Sequence, residues 1–157
     1  MSKIQWKKLI ICLVIPLAVG GLSALLTMDA MANFSSLNQP PLSPPAWLFP
    51  VAWTILYLLM GLASYLVAVS GARHSEISAA LTVYGLQLAV NFLWSPIFFN
   101  WQAYFVAFLW LILLWALIFI TLRRFAAISP FAGWLLVPYL VWVTFAGYLN
   151  LGIYLLN

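Results

Sequence analysis

Five long apolar stretches, a set of basic residues that falls wholly on one side of them and a near-absence of other charge predict an all-α integral membrane protein. Its expected form is a compact bundle of five transmembrane helices with a long ordered first loop. Hydrophobic residues make up 67% of the 157 and charged residues 5%, whereas soluble domains carry roughly 25% charged. Lys3, Lys7 and Lys8 precede the first stretch, Arg73 lies between the second and third, and Arg123 and Arg124 lie between the fourth and fifth. Loops that stay on the cytoplasmic side retain Lys and Arg, so this arrangement predicts the N-terminus inside and the C-terminus outside. An even number of spans would break the pattern. The lysine-led N-terminus fits a bacterial plasma membrane.

Taken in order, the spans are Leu9 to Met28, Trp47 to Ser70, Ala79 to Asn100, Ala103 to Leu122 and Pro130 to Leu156, none with a formal charge. Each meets the length of about 20 residues that crosses about 30 Å of hydrocarbon. A cleavable signal peptide competes for the first, since lysines precede it and Ala30-Met31-Ala32 resembles a cleavage site. The apolar run exceeds the roughly 7 to 15 residues of a signal core. Removing it would also discard half of the bases that set the orientation. Pro44-Pro45 leads into the second helix, and Ser129-Pro130 sets a capping hydroxyl and an N1 proline at the start of the fifth. Pro16, Pro96 and Pro138 lie inside or near the end of spans, where each removes a backbone donor and favours a kink.

Three connections are short (71–78, 101–102 and 123–129), so neighbours in sequence pack as antiparallel neighbours in one domain over 1–157. Asp29 to Ala46 is the exception, with Pro40, Pro41, Pro44 and Pro45 and a single charge. Proline lowers the entropy lost on ordering, and Phe34, Leu37 and Leu42 give the segment something to bury. An ordered lid over the outer helix ends is the expectation.

The same composition excludes much chemistry. A net charge of +4 held by topology is no nucleic-acid footprint. Cys12 is the only cysteine and His74 the only histidine, so an internal disulfide has no second thiol and a metal site lacks partners. No Asp, Glu, Lys, Arg or His lies at membrane depth, which argues against proton relays and ion coupling. Neither a phosphate loop nor a Ser-His-Asp or Cys-His set occurs.

What the spans contain is amides and aromatic rings on shared faces. Tyr84, Gln87, Asn91, Trp94 and Phe98 follow spacings of three, four, three and four, one stripe of the third helix. Tyr139, Trp142, Ala146 and Asn150 form a second stripe on the fifth, and Trp53, Tyr57, Gly61 and Ser64 a third on the second. Hydrocarbon cannot satisfy an amide, so these faces should meet other helices or a ligand. Two uses remain open on pattern alone. The polar groups can bind helix to helix, or they can line a cavity for a large, flat, mostly apolar molecule that stacks on rings. Trp6, Trp47 and Trp101 suit interfacial belts, while Trp110 and Trp115 lie among leucines and are expected to face lipid or another protomer. Gly20 and Ala24 form a small-xxx-small pair that would let backbones approach, as in a homodimer.

The motifs, read together, resemble the TspO/MBR family of tryptophan-rich sensory and translocator proteins. The likeness rests on Ser43-Pro44-Pro45 with Trp47, Ala52-Trp53-Thr54 with Tyr57, Gln87 to Asn91 with Trp94, and Pro96-Ile97-Phe98-Phe99. Pro138 to Trp142, Phe145-Ala146 and Leu149-Asn150 complete it. The resemblance implies a five-helix bundle, commonly dimeric, that binds porphyrins and haem under its first loop. It implies cavity positions at Trp53, Gln87, Asn91, Trp94, Phe98, Trp142, Ala146 and Asn150, with Phe34 and Pro45 from the loop. Some bacterial members are thought to degrade porphyrins in light, which would give Trp53 and Trp142 redox roles. Where members often carry Trp-Tyr and Lys-Pro-x-Trp, this chain has Asn33-Phe34 and Gln39-Pro40-Pro41-Leu42. Loss of that lysine removes a partner for a porphyrin carboxylate. The C-terminal sterol motif is also absent, because no base follows Tyr154. The expectation is a receptor or carrier for porphyrin-like tetrapyrroles with no metal and no resident cofactor. Its expected partners are the flat ligand, the bilayer and a second copy of the chain, and the alternatives are a porphyrin-degrading enzyme or a membrane scaffold.

Overall fold

The computed structural model describes residues 3–157, and within them every long element is helical. Helix α1 spans Trp6–Met31, α2 Leu48–Ala68, α3 His74–Ser95, α4 Tyr104–Ile128, α5 Pro130–Leu135 and α6 Val137–Leu156. A π-helical turn over Pro96–Asn100 continues α3, and α5 with α6 makes one interrupted span, so five helices are long and apolar enough to cross a membrane. The chain is an integral membrane protein. Its 26-residue first helix extends about 39 Å at 1.5 Å per residue, longer than the roughly 30 Å of hydrocarbon it has to cross.

Helices α1, α3 and α4 outrun the apolar stretches, while α2 falls one residue short at its start and two at its end. Helix α3 begins at His74 and α4 runs on through Arg123 and Arg124 to Ile128, because hydropathy marks where lipid ends, whereas a helix stops at a breaker. For α4 that breaker is Ser129-Pro130, and the Ser129 hydroxyl accepts from the Ala132 amide at 3.5 Å, capping α5. The three internal prolines act differently. Pro16 sits within an unbroken α1, Pro96 opens the π turn, and Pro138 follows the break at Leu136.

Close approach of α1 and α2 depends on Gly61, where an added Cβ would lie 2.6 Å from the Cys12 carbonyl oxygen and 2.9 Å from Leu13 Cα. Toward the end that carries the basic residues, the bundle is solid: Met60, Ala63, Val67, Ala80, Ile118 and Phe125 are fully buried, and Tyr84 packs on Phe125 with centroids 5.6 Å apart.

The opposite end is covered by residues 32–47, with a 3-10 turn at Phe34–Ser36. Phe34 packs against Phe49, Phe98 and Phe99 at 5.8–6.2 Å, and Leu37 joins the same cluster. Leu42 corrects the expectation that it buries with them. It is 84% exposed, at the tip of a turn with φ +68°, where the backbone directs its side chain away from the bundle. The segment is held down by the last helix. Asn157 and Asn38 exchange bonds of 2.9 and 3.1 Å, the Tyr148 hydroxyl donates to the Pro41 carbonyl at 2.7 Å, and Pro40 rests on Gly152. It is an ordered lid.

Candidate functional site

Between the lid and the solid core lies a cavity of about 510 Å³ walled by α1, α2, α3, α4 and α6. Helix α2 contributes Trp53 and Tyr57, whose rings stack at 5.6 Å, because positions four apart share a face. Asn91, Trp94 and Phe98 come from the α3 stripe, and Trp94 stacks on Phe98 at 5.0 Å. Helix α6 adds Trp142, Ala146 and Asn150, and Phe34 closes the top from the lid. Trp142 meets Trp53 edge-to-face at 6.5 Å.

Three of the expected site residues do not line this space. Gln87 and Tyr139 are each 1% exposed and lie behind the wall, and Pro45 faces away while its neighbour Ala46 lines the cavity. Gln87 and Tyr139 instead complete a buried hydrogen-bond chain under the cavity floor. The Tyr57 hydroxyl donates to Asn91 Oδ1 at 3.0 Å, Asn91 Nδ2 donates to the Tyr139 hydroxyl at 2.6 Å, and that hydroxyl donates to Gln87 Oε1 at 2.8 Å. Nearer the lid, Trp94 Nε1 donates to Asn150 Oδ1 at 3.1 Å and Asn150 Nδ2 to the Tyr104 carbonyl at 2.8 Å. Amides therefore join α2, α3 and α6, and ring faces beside them line a cavity.

Trp110 departs from the lipid-facing expectation. Its indole N–H donates to the Val90 carbonyl at 2.7 Å, so it turns inward onto α3, a polar anchor that its leucine neighbours conceal in the sequence. Trp115 is 39% exposed, stacks on Phe119 and donates to Thr144 at 2.9 Å. Trp6, Trp47 and Trp101 are exposed.

The pattern also missed a whole wall. Leu17, Gly20, Ser23, Ala24 and Thr27 of α1 line the cavity. Their spacing of three and four along one face was the available signal, but small and aliphatic residues carry no chemical mark. Gly20 packs against the Tyr57 ring of its own chain, so its lack of a side chain serves the interior of the bundle. Among the described residues no group of three His, Cys, Asp or Glu converges as a metal site would need.

A model of the TspO/MBR family matches residues 12–156. The chain is 39% identical over 150 residues to the tryptophan-rich protein TspO of Chlorobaculum tepidum, covering 95% of each. It is 42% identical over 128 residues to the protein CrtK of Rhodobacter capsulatus, covering 80% of this chain and 79% of that one. Against the translocator protein of Ovis aries identity is 38% over 118 residues, 74% of this chain and 70% of the relative.

Proposed function

The chain belongs to the TspO/MBR family, and on that premise we propose that it is a membrane receptor or carrier that takes a porphyrin-like tetrapyrrole into the cavity beneath its lid. One observation carries this: a space of about 510 Å³ whose walls present aromatic faces from three helices and the lid, within the roughly 300 to 1,000 Å³ range of small-molecule sites. A flat macrocycle stacks on such faces, and the Asn91 and Asn150 amides that line the cavity beside them are the groups to orient its polar edge. The name of the Ovis aries relative, translocator protein, fits a carrier. The lid faces the outside and the basic end the cytoplasm of a bacterial plasma membrane, a placement that the bases at one end support.

Titration of the purified protein with protoporphyrin IX in darkness should quench tryptophan fluorescence saturably. Trp53→Ala should weaken binding about tenfold, the worth of one stacked ring or about 1.4 kcal/mol. No saturable quenching by protoporphyrin IX or by its dimethyl ester, or no effect of Trp53→Ala in a folded protein, would sink the proposal.

A second reading is favoured by the contact of Trp53 with both Tyr57 and Trp142. Such a cluster can pass one electron to a light-excited porphyrin, which hands it to dioxygen as superoxide; the tryptophan radical cation then takes an electron back from the porphyrin, so that the porphyrin is oxidised, dioxygen is reduced and the tryptophan is restored. It predicts a new absorbing product that needs both light and oxygen and is lost when Trp53 and Trp142 are both replaced by Phe.

A further inference from the structure

We propose that the cavity selects uncharged ligands, so that a tetrapyrrole is accepted as its ester or another neutral form in preference to the free diacid. The first probe pair below rests on the tetrapyrrole reading; the second does not.

Three observations converge. First, none of the residues that line the cavity is ionisable to a cation or an anion at neutral pH. All six Lys and Arg residues lie at or beyond the opposite end, and the one formal charge of the side chains toward the lid is that of Asp29, which repels an anion. A carboxylate drawn into a low-dielectric space with no cation in reach pays its desolvation without return.

Second, four of the wall's five hydroxyl donors, all but that of Ser95, are already committed to the protein. Ser23 donates to the Phe92 carbonyl at 3.2 Å, Thr27 to the Ser23 carbonyl at 2.9 Å, Thr54 to the Pro50 carbonyl at 2.7 Å and Tyr57 to Asn91 at 3.0 Å. What remains on the wall is neutral and sparse: the Ser95 hydroxyl and the amides of Asn91 and Asn150, each of which already donates one N–H to the protein. Isolated neutral donors suit a carbonyl or ester oxygen. They are too few and too scattered to replace the hydration of a carboxylate, which accepts at about four lone-pair sites.

Third, the cavity is open along the seam between α1 and α2, where Gly21, Ala24, Pro50 and Thr54 line it and are exposed. On the other flank α1 is pinned to the α3 span by the Ser23 bond and by Asn100 Nδ2 donating to the Leu26 carbonyl at 3.1 Å. The lid, by contrast, is latched at Asn38 and Pro41. The open side at membrane depth meets hydrocarbon, which a neutral molecule enters and a dianion does not.

The test uses the full chain in lipid nanodiscs and two probe pairs, protoporphyrin IX against its dimethyl ester and 1-pyrenebutyric acid against its methyl ester. Affinities from tryptophan quenching are corrected for partition into protein-free bilayers, so that a gain from membrane concentration alone is removed. The ester should bind at least tenfold tighter than the acid in each pair. Ala46→Lys, which sets a cation at an exposed lining position near the lid, should narrow that ratio threefold or more. An acid that binds as tightly as its ester overturns the proposal, as does a ratio that Ala46→Lys leaves unmoved. If neither porphyrin binds while the pyrene ester still outcompetes its acid, the tetrapyrrole reading falls and charge selection stands. If no probe binds, both fall.

Discussion

Asn91 joins two phenols from different helices, accepting from Tyr57 and donating to Tyr139. Asn91→Leu leaves the Tyr57 hydroxyl without an acceptor in a buried, apolar place, where an unsatisfied polar group costs about 1–3 kcal/mol. The double variant Tyr57→Phe with Asn91→Leu removes the orphan together with its lost partner. It should therefore unfold at a higher temperature or denaturant concentration than Asn91→Leu alone; the reverse order would show that the chain does not hold the floor. Residues such as Asn91 were legible from spacing, because a 3.6-residue period puts Tyr84, Gln87, Asn91, Trp94 and Phe98 on one inward face. Depth was not legible. Periodicity gives the direction of a side chain from its own helix axis, and only the packing of neighbouring helices decides that Asn91 reaches the cavity while Gln87 stops behind it.

At the scale of elements, the lid and the last helix behave as one unit, fastened through Asn38, Pro40 and Pro41. Gly152 is the tightest of these contacts, since an added Cβ would lie 2.6 Å from the Pro40 ring. Gly152→Val should lift the lid while leaving the spans intact, seen as faster chymotrypsin cleavage after Phe34 and Leu37 with an unchanged helical circular dichroism signal. Gly147→Val on the same helix is the control, because an added Cβ there meets nothing within 4 Å. Equal cleavage rates in the two variants would mean that Pro40 does not seat the lid. The prolines and buried aromatics of this loop announced an ordered segment. Its fastening points did not show in the sequence, since Gly152 and Asn157 lie more than a hundred residues away and gain meaning only when the helices align. The helix ends were displaced for another reason: the eye stops at the first charge, whereas α4 continues through Arg123 and Arg124 until Ser129-Pro130 ends it.

Across the whole molecule the bundle is packed solid toward its basic end and hollow toward its lid, and this polarity matches the charge asymmetry along the same axis. Number and order of spans were readable because a backbone in hydrocarbon has few options: five apolar stretches must become five helices. The sidedness follows from insertion rather than from packing. Bases at the start of α1, in the α2–α3 loop and at the end of α4 all resist transfer across the membrane, and two spans between each group and the next let them share one side, with the fifth span sending the C-terminus to the other. An alkaline phosphatase fused after Asn157 should then be active and a green fluorescent protein there should be dark, while the same reporters inserted beside Arg73 should behave oppositely. Activity on the Arg73 side would reverse the molecule and send the lid, with the cavity below it, to the cytoplasm. Because the sign rests on Lys3, Lys7, Lys8, Arg73, Arg123 and Arg124 together, neutralising Arg123 and Arg124 alone should leave the reporters unchanged. A flip after that pair is lost would locate the topogenic signal in the last loop instead of in the N-terminal lysines.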